Sequence, residues 1–426
     1  MKRTSPAKQV SAREAIRALP PSCRALFSAA CGAPLSLIEA IDQERDHFEN
    51  LQLYSGLVFF DSPLFSHLSE NVHLTTWHVA GPLQKLVAEG TVAYLPQRLS
   101  EVPLTFGRNG QIPVDAALVQ TSPPDERGYV SLGVTVSSAI DVAREAPIVI
   151  AEVNQQTPYT MGNSLLHVDE IDYLVDADYP LIQHRETKEP GEVEKAVAGH
   201  IAGLIPDGAT LQIGIGAVPE ALMFSLDDKR DLGVHSGLIT DGFARLMEMG
   251  VVTNKRKSID VGKSVGAEAM GSLDFYRYLH KNPLFHFDSV RYTHRLDILT
   301  QIEGLISINS ALEVDLTGQV SSENLGGRQL SGLGGQFDFI EGVLHGKGGI
   351  SIVALPSTAL RGSRSRLVAG LEPGSVVTTP RFCAEYVVTE HGVAGLKGKT
   401  VRERAQAMIA IAHPDFRDSL ASQSGL

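Results

Sequence analysis

The stretch LQIGIGAVPEALMFSLDDKRDLGVHSGLITDG, residues 211–242, decides the fold of this chain. A hydrophobic run ends in the glycine turn Gly214-Ile215-Gly216, and a helical pattern follows with Pro219 at about its first position. A second strand-like run then surrounds His235-Ser236-Gly237. The order of strand, glycine turn, helix and strand predicts an α/β sheet.

The same order of elements opens the chain. The run AREAIRALPPSCRALFSAACGAPLSLIEAI, residues 12–41, parallels EKAVAGHIAGLIPDGATLQIGIGAVPEALMFSL, residues 194–226. The strands that follow carry YSGL at 54–57 and HSGL at 235–238. This internal repeat predicts two similar α/β units in one chain, and it assigns the N-terminus to the fold rather than to a transit peptide.

A polar stretch between the repeats predicts the domain boundary. Residues 185–194 are polar, with Pro190 and Gly191 at their centre, which is typical of a linker. We therefore predict an N-terminal α/β domain at 1–187 and a C-terminal α/β domain at 188–426.

Composition excludes several classes of protein. The formal net charge of −12 argues against a protein that coats nucleic acid, since such proteins gather Lys and Arg. The three cysteines lie far apart without CxxC spacing, so neither a disulfide framework nor a metal site is expected. No apolar run approaches the roughly 20 residues that span a bilayer. We expect a cytoplasmic protein without a membrane partner or a metal, and a homodimer, as is common for enzymes of this size.

The turn at Gly214 to Val218 allows three interpretations. Free backbone N–H groups at the start of a helix suit an anion. The first interpretation is a dinucleotide-binding fingerprint, which would need glycine where Pro219 stands. The second is a tight turn without a ligand, and the third is a turn that binds an oxyanion or a carboxylate. A second glycine-rich stretch, Ser331-Gly332-Leu333-Gly334-Gly335, predicts either a backbone that approaches a ligand or a structural turn.

Several separated motifs together resemble one family. GIGAVPEAL, NPLFHF, INSALEVDLTGQV, SGLGGQFDFI, IVALPSTA and YVVTEHGVAGLKGKT, with DERGYVSLGV and ACGAP in the first half, are similar to the acetyl-CoA hydrolase/transferase family, in particular its 4-hydroxybutyrate CoA-transferase branch. The resemblance covers nearly the whole chain. It implies two open α/β domains of the class I CoA-transferase type, with the active site between them. It also implies acyl-CoA and carboxylate substrates, 4-hydroxybutyrate-like or itaconate-like.

The resemblance also implies site residues. Gly214, Ile215, Gly216, Ala217 and Val218 would bind the oxyanion and coenzyme A, and Ser331, Gly334 and Gly335 resemble the family's second CoA-contacting loop. In the family a glutamate attacks the thioester and a glutamyl-CoA thioester follows. This glutamate stands in a His-Thr/Ser-Glu context, which aligns here with His235-Ser236-Gly237. Glycine cannot be the nucleophile.

Two glutamates are candidates to replace it. Glu70, in Ser69-Glu70-Asn71, resembles the nucleophile motif of two-subunit class I transferases, and we predict it as the catalytic residue, with Gly237 leaving room for it. Glu323, in Ser321-Ser322-Glu323-Asn324, is the second candidate, with a polar loop role near CoA as its alternative. An acyl-CoA hydrolase, a CoA-binding pseudoenzyme and, more distantly, a nicotinamide-dependent oxidoreductase are the rival functions.

Overall fold

The computed structural model describes residues 6–184 and 190–424. By their internal contacts the residues form two compact units. Unit 1 comprises Met1–Arg185, Ile239–Asp241 and Val265–Thr293, and unit 2 comprises Glu186–Leu238, Gly242–Ser264 and His294–Leu426. The predicted boundary at 187/188 lies outside the described residues, as does the start of the predicted linker. The prediction of a single boundary missed that two later segments, Ile239–Asp241 and Val265–Thr293, group with the N-terminal part.

The first part of the chain contains, in order, β1 (Lys8–Gln9), α1 (Ala12–Arg17), β2 (Ser22–Phe27), α2 (Leu35–Gln43), β3 (Asn50–Ser55), β4 (Val72–Thr76), α3 (Leu83–Ala88), β5 (Ala93–Tyr94), α4 (Val102–Phe106), β6 (Ala116–Thr121), β7 (Tyr129–Ser131), α5 (Ala139–Glu145), β8 (Ile148–Asn154), β9 (Leu165–His167) and β10 (Tyr173–Ala177).

The second part continues with α6 (Glu192–Leu204), β11 (Thr210–Ile213), α7 (Ala217–Phe224), β12 (Gly233–Thr240), α8 (Asp241–Glu248), β13 (Ser264–Met270), α9 (Leu273–Leu279), β14 (Phe285–Phe287), α10 (Val290–Thr293), α11 (Leu296–Leu299), β15 (Leu305–Ser310), β16 (Glu313–Asp315), β17 (Val320–Ser321), β18 (Asn324–Leu325), β19 (Arg328–Gln329), α12 (Gln336–His345), β20 (Ile350–Ala354), β21 (Thr358–Ala359), β22 (Arg364–Ser365), β23 (Leu367–Val368), β24 (Tyr386–Thr389), β25 (Gly392–Gly395), α13 (Val401–Ala410) and α14 (Pro414–Ser424).

Unit 1 is built on a parallel sheet with the strand order β1-β10-β8-β6-β2-β3-β4-β5. From β2 the chain first adds β3, β4 and β5 on one side, and then returns to add β6, β8 and β10 on the other. The order therefore reverses between β2 and β6. In open parallel sheets ligands bind at the carboxyl ends of the strands beside such a reversal.

The central strands of this sheet are covered on both faces. All six residues of β6 are buried, and the last three residues of β2 are buried as well. Such continuous hydrophobic strands, rather than alternating ones, are typical of parallel sheets with helices on both sides. Helix α1 begins with a capping box in which the Ser11 side chain accepts from Glu14 N and the Glu14 side chain accepts from the Ser11 backbone.

The strands of unit 2 follow the order β12-β11-β15-β20-β24-β25. β11 pairs in parallel with both β12 and β15, and β25 is antiparallel to β24. Here the order reverses between β11 and β15, because the chain adds β12 on one side and β15, β20 and β24 on the other. The glycine turn at 214–216 directly follows β11 and therefore lies at the ligand-binding edge of this unit.

The predicted repeat is present in the order of the elements. α1, β2, α2 and β3 open unit 1, and α6, β11, α7 and β12 open unit 2. In each unit the first of these strands stands beside the reversal in strand order. The predicted α/β fold class is confirmed, and the structure adds that most strands of the two sheets are parallel.

Candidate active site

The turn after β11 presents backbone groups at the start of a helix. Gly216 has a φ of 120° and a ψ of 175°, a conformation that side-chain-bearing residues rarely adopt. Helix α7 then starts at Ala217, and Pro219 is its third residue, two positions later than predicted. No side chain of the described residues caps the helix. The amides of its first turn and the positive end of its dipole are thus arranged to receive negative charge.

The five residues of this turn contribute differently. Gly214 N donates to Ile308 O at 3.3 Å, which ties the turn to β15. Ile215 is half-buried and Ala217 is exposed, whereas the Val218 side chain is buried. A ligand at this turn would therefore meet backbone, since the Val218 side chain packs inward.

The second glycine loop has the same construction. Gly335 is the N-cap of α12, again without a side-chain cap among the described residues, and Gly334 has a φ of 57°. Ser331 N donates to the main-chain oxygen of Glu323 at 2.9 Å, which positions the start of the loop. Both glycine loops thus lead into the N-terminus of a helix in unit 2.

An imidazole brings Gly237 and Gly335 together. A Cβ added at Gly237 would lie 2.7 Å from His294 Nε2, and one added at Gly335 would lie 2.4 Å from the same atom. The His294 ring also stacks edge-on against Phe339, with 4.8 Å between the ring centroids. Ser236 Oγ donates to Ile213 O at 3.3 Å, so Gly237 lies level with the glycine turn that follows Ile213. Gly237 and the two predicted CoA-binding loops therefore meet at the carboxyl edge of unit 2.

His294 corrects one sequence-based expectation. We predicted that glycine at 237 leaves room for a carboxylate from elsewhere, but the imidazole already fills that space. Burial lowers the pKa of His294 to about 3, so the ring is neutral at physiological pH. No motif marked His294, because its position depends on α11 and α12 packing together.

Buried polar side chains join β11, which leads into the glycine turn, to its neighbour β15. Gln212 on β11 accepts from Ser307 Oγ at 2.7 Å and from Asn309 Nδ2 at 3.2 Å, both on β15. These side chains satisfy one another inside the sheet.

His235 is fully buried and faces Asp260, with 3.9 Å between Nδ1 and Oδ2. The interior position of His235 fits a structural role rather than contact with substrate.

Glu323 is held by its own unit. Only 6% of this residue is exposed, and its carboxylate accepts from Thr378 Oγ1 at 3.2 Å and from Gln329 Nε2 at 3.4 Å. Its main-chain oxygen accepts from Leu330 N and Ser331 N, both at 2.9 Å. These contacts fit the alternative of a polar residue that supports the Ser331 loop.

The placement of Glu70 does not support its prediction as the nucleophile. Glu70 is exposed in the turn before β4, and its main-chain oxygen lies 2.9 Å from His73 Nε2. Because β4 is a parallel strand, a residue that precedes it lies at the amino edge of the unit 1 sheet. Ligands of such sheets bind at the opposite edge.

Unit 1 has a cavity at its own carboxyl edge. It has a volume of about 480 Å³ and is lined by residues that follow β6 and β8 and by residues of α9, among them Ser122, Gln155, Tyr276 and Arg277. The hydroxyl of Tyr276 accepts from Gly271 N at 3.1 Å and donates to Ile182 O at 3.0 Å, which fixes the ring in the wall of the cavity.

Two further observations concern the described part of the chain. None of its helices is long and apolar enough to cross a membrane. Within residues 6–184 and 190–424, no group of three or more His, Cys, Asp or Glu residues is placed to hold a metal ion.

Comparison with known proteins identifies the family. Residues 2–183 match the acetyl-CoA hydrolase/transferase N-terminal domain, and residues 271–424 match the acetyl-CoA hydrolase/transferase C-terminal domain. The 4-hydroxybutyrate coenzyme A transferase of Clostridium kluyveri is 41% identical over 98% of this chain and 97% of its own length. Two solved structures are similar over 98% of this chain and 97% of theirs. RipA from Yersinia pestis is 34% identical with a TM-score of 0.93, and a 4-hydroxybutyrate CoA-transferase from Porphyromonas gingivalis is 35% identical with a TM-score of 0.83. On these matches, the chain belongs to the acetyl-CoA hydrolase/transferase family, as a CoA-transferase.

Proposed function

We propose that this chain moves CoA from a short acyl-CoA donor to a small carboxylic acid of the 4-hydroxybutyrate or itaconate type, through a glutamyl-CoA thioester. The observation that carries the proposal is the 41% identity, over nearly the full length, to a 4-hydroxybutyrate coenzyme A transferase. The two glycine loops at the carboxyl edge of unit 2 support it. The expected homodimer and cytoplasmic location stay predictions.

The turn from Gly214 to Val218 would act on the thioester oxygen. When a nucleophile attacks the thioester carbonyl, negative charge develops on that oxygen. Backbone N–H groups aimed at this position stabilise the charge by several kcal/mol. The Gly216 conformation, with its φ of 120°, is what turns the chain from β11 into the helix that carries these groups.

The loop Ser331, Gly334 and Gly335 would contact CoA itself. Glycine at 334 and 335 lets a ligand approach the main chain, and the helix dipole of α12 favours the negative charge of phosphate. Glu323 would keep this loop in position through its contacts with Leu330 N and Ser331 N.

A transfer assay tests the proposal. Acetyl-CoA, butyryl-CoA and succinyl-CoA are each incubated with 4-hydroxybutyrate, itaconate or acetate, and the new acyl-CoA is identified by mass spectrometry. We expect a new acyl-CoA with at least one of the first two acceptors. Release of free CoA without any acceptor would identify a hydrolase instead, and CoA binding without turnover would identify a pseudoenzyme.

A matched pair of glycine variants tests the glycine turn. Gly216 and Gly90 both have positive φ, and a Cβ at either would meet no atom within 4 Å. Gly216→Ala and Gly90→Ala therefore both place a side chain at positive φ without a steric clash, one in the glycine turn and one after α3. We expect only Gly216→Ala to lower the transfer rate. Equal losses of transfer rate in the two variants would show that the turn is not part of the active site.

A further inference from the structure

Glu268 lies on β13 in unit 1, and the main chain holds it there. Its backbone forms a bridge with Thr135. On either side, Ala269 N donates to Val134 O at 2.8 Å, and Val136 N and Ser137 N donate to Ala267 O at 3.1 and 3.0 Å. These bonds fix the position of Glu268 relative to the loop before α5.

Thr135 in turn fixes Glu268 against the carboxyl end of β2. Gly32 N donates to Thr135 Oγ1 at 3.1 Å, and Thr135 Oγ1 donates to Ala29 O at 3.2 Å. The residues Ala29 to Gly32 follow β2, the strand at which the order of the unit 1 sheet reverses. Glu268 is therefore at the position where parallel sheets bind their ligands.

The backbone beside Glu268 is strained at two non-glycine residues. Ala30, next to Cys31, has a φ of 51°, and Ser137 has a φ of 36°. Such conformations cost about 1–3 kcal/mol each and are found disproportionately at active sites. Ala30 follows Ala29, whose oxygen accepts from Thr135 Oγ1, and Ser137 N donates to Ala267 O at 3.0 Å, so both strained residues adjoin the bonds that hold Glu268.

The carboxylate of Glu268 receives fewer hydrogen bonds than that of Glu152, a buried glutamate of the same unit. Glu152 accepts from Ser36 N at 2.7 Å, from Leu37 N at 3.1 Å, and from the side chains of Gln120 and Tyr179. Burial raises the pKa of the Glu268 carboxyl to about 6, and the hydrogen bond from Ser137 offsets this only in part. The residue as a whole is half-buried. A carboxylate with so little compensation is suited to nucleophilic attack.

The neighbouring thiol is not a competing nucleophile. Burial raises the pKa of Cys31 to about 12, and the negative charge of Glu268 acts in the same direction. The thiolate is the reactive form of cysteine, so a thiol with this pKa is inert at neutral pH.

We propose that Glu268 is the covalent nucleophile of this chain, in place of the glutamate missing at Gly237. The inference rests on the proposed CoA-transferase function. It deepens that function by naming the residue that carries the acyl group and then CoA.

Each step balances. A Glu268 carboxylate oxygen attacks the thioester carbon of acyl-CoA, the C–S bond breaks, and CoA leaves as the thiolate, so that a mixed anhydride remains on Glu268. The thiolate attacks the Glu268 carbonyl and expels the donor carboxylate, which leaves a glutamyl-CoA thioester. The acceptor carboxylate opens this thioester in the same way, and the released thiolate then takes the acceptor's acyl group and frees the Glu268 carboxylate.

Chemical trapping combined with three variants tests the inference. The intact protein is incubated with butyryl-CoA, treated with borohydride, which reduces the glutamyl thioester to an alcohol, and mapped by peptide mass spectrometry. The variants are Glu268→Gln, Glu70→Gln and, as a control on the surface, Glu89→Gln. Glutamine matches the shape of glutamate, and the buried site favours a neutral group. Glu268→Gln is therefore expected to fold, and its melting temperature verifies this.

The expected result is a reduced residue at Glu268, a loss of transfer of at least about 1,000-fold in Glu268→Gln, and wild-type rates in Glu89→Gln. A label on Glu70, or an active Glu268→Gln enzyme, would overturn the assignment and leave the proposed function standing. If the wild-type protein transfers CoA to no acceptor, the proposed function itself fails.

Discussion

The contact between Gly237 and His294 predicts a specific energetic coupling. A Cβ at residue 237 would lie 2.7 Å from Nε2 and 2.9 Å from Cε1 of the imidazole, whereas ordinary contacts begin at 3.4 Å. The ring cannot retreat freely, because it also packs against Gly335 and Phe339. Gly237→Ala should therefore destabilise the wild-type protein by about 1–3 kcal/mol, the usual cost of overpacking.

Removal of the ring should reverse this effect. In a His294→Ala background the added methyl group has space, and alanine in a strand is favoured over glycine by roughly 0.5–1 kcal/mol. The double-mutant cycle should thus give a coupling free energy of about 1.5–4 kcal/mol.

Urea unfolding of the four proteins measures the coupling. Far-UV circular dichroism follows the whole chain, and the single tryptophan, Trp77, follows unit 1 by fluorescence. A Gly237→Ala cost below about 0.5 kcal/mol, or the same cost in both backgrounds, would refute the steric argument. By the same reasoning, Gly237→Glu should be tolerated only together with His294→Ala.

Four further predictions concern three carboxylates, Glu268, Glu323 and Glu70. The raised pKa of Glu268, about 6, means that the folded protein favours its protonated form. The protonated carboxyl contributes fully to stability at pH values below 4.5, and this contribution is lost as the pH rises through 6. Glu268→Gln should therefore raise the free energy of unfolding by up to about 2 kcal/mol at pH 7. If Glu268 is the nucleophile, kcat/KM of the wild type should rise through the same pH range, as a pH–rate profile would reveal. Glu323→Ala should cost about 2 kcal/mol and raise KM for acyl-CoA, because Thr378 Oγ1 and Gln329 Nε2 lose their acceptor and Gln329 also binds Ser331 O of the loop, whereas the exposed Glu303→Ala should do neither. Glu70→Ala should change stability by less than about 0.5 kcal/mol and retain transfer; loss of activity would restore Glu70 as a candidate.

Local sequence patterns predicted the glycine turns well. Gly216 has positive φ directly before a helix, as the order of residue types indicated, and Gly334 has positive φ one residue before the N-cap of α12. The internal repeat predicted the order of strands and helices in the two halves for the same reason. Hydrophobic period and turn chemistry act over a few residues, so a single sequence carries them.

The carboxylates were harder to place. Glu70 was selected by a short motif, but the motif does not state at which end of a parallel strand the residue lies. Glu268 has no motif around it, and its strained neighbours and raised pKa arise from segments more than a hundred residues away in sequence. The inserted segments of unit 1, Ile239–Asp241 and Val265–Thr293, are what bring it there.

Residue order alone was enough to predict the α/β class, the repeat, the two glycine loops and the lack of a glutamate at residue 237. The packed chain was needed to find that His294 fills the space at Gly237, that Glu70 lies at the amino edge of its sheet, and that Glu268 lies beside the end of β2. Burial and contacts between distant segments set the environment of a side chain, whereas the local pattern specifies only the element that carries it.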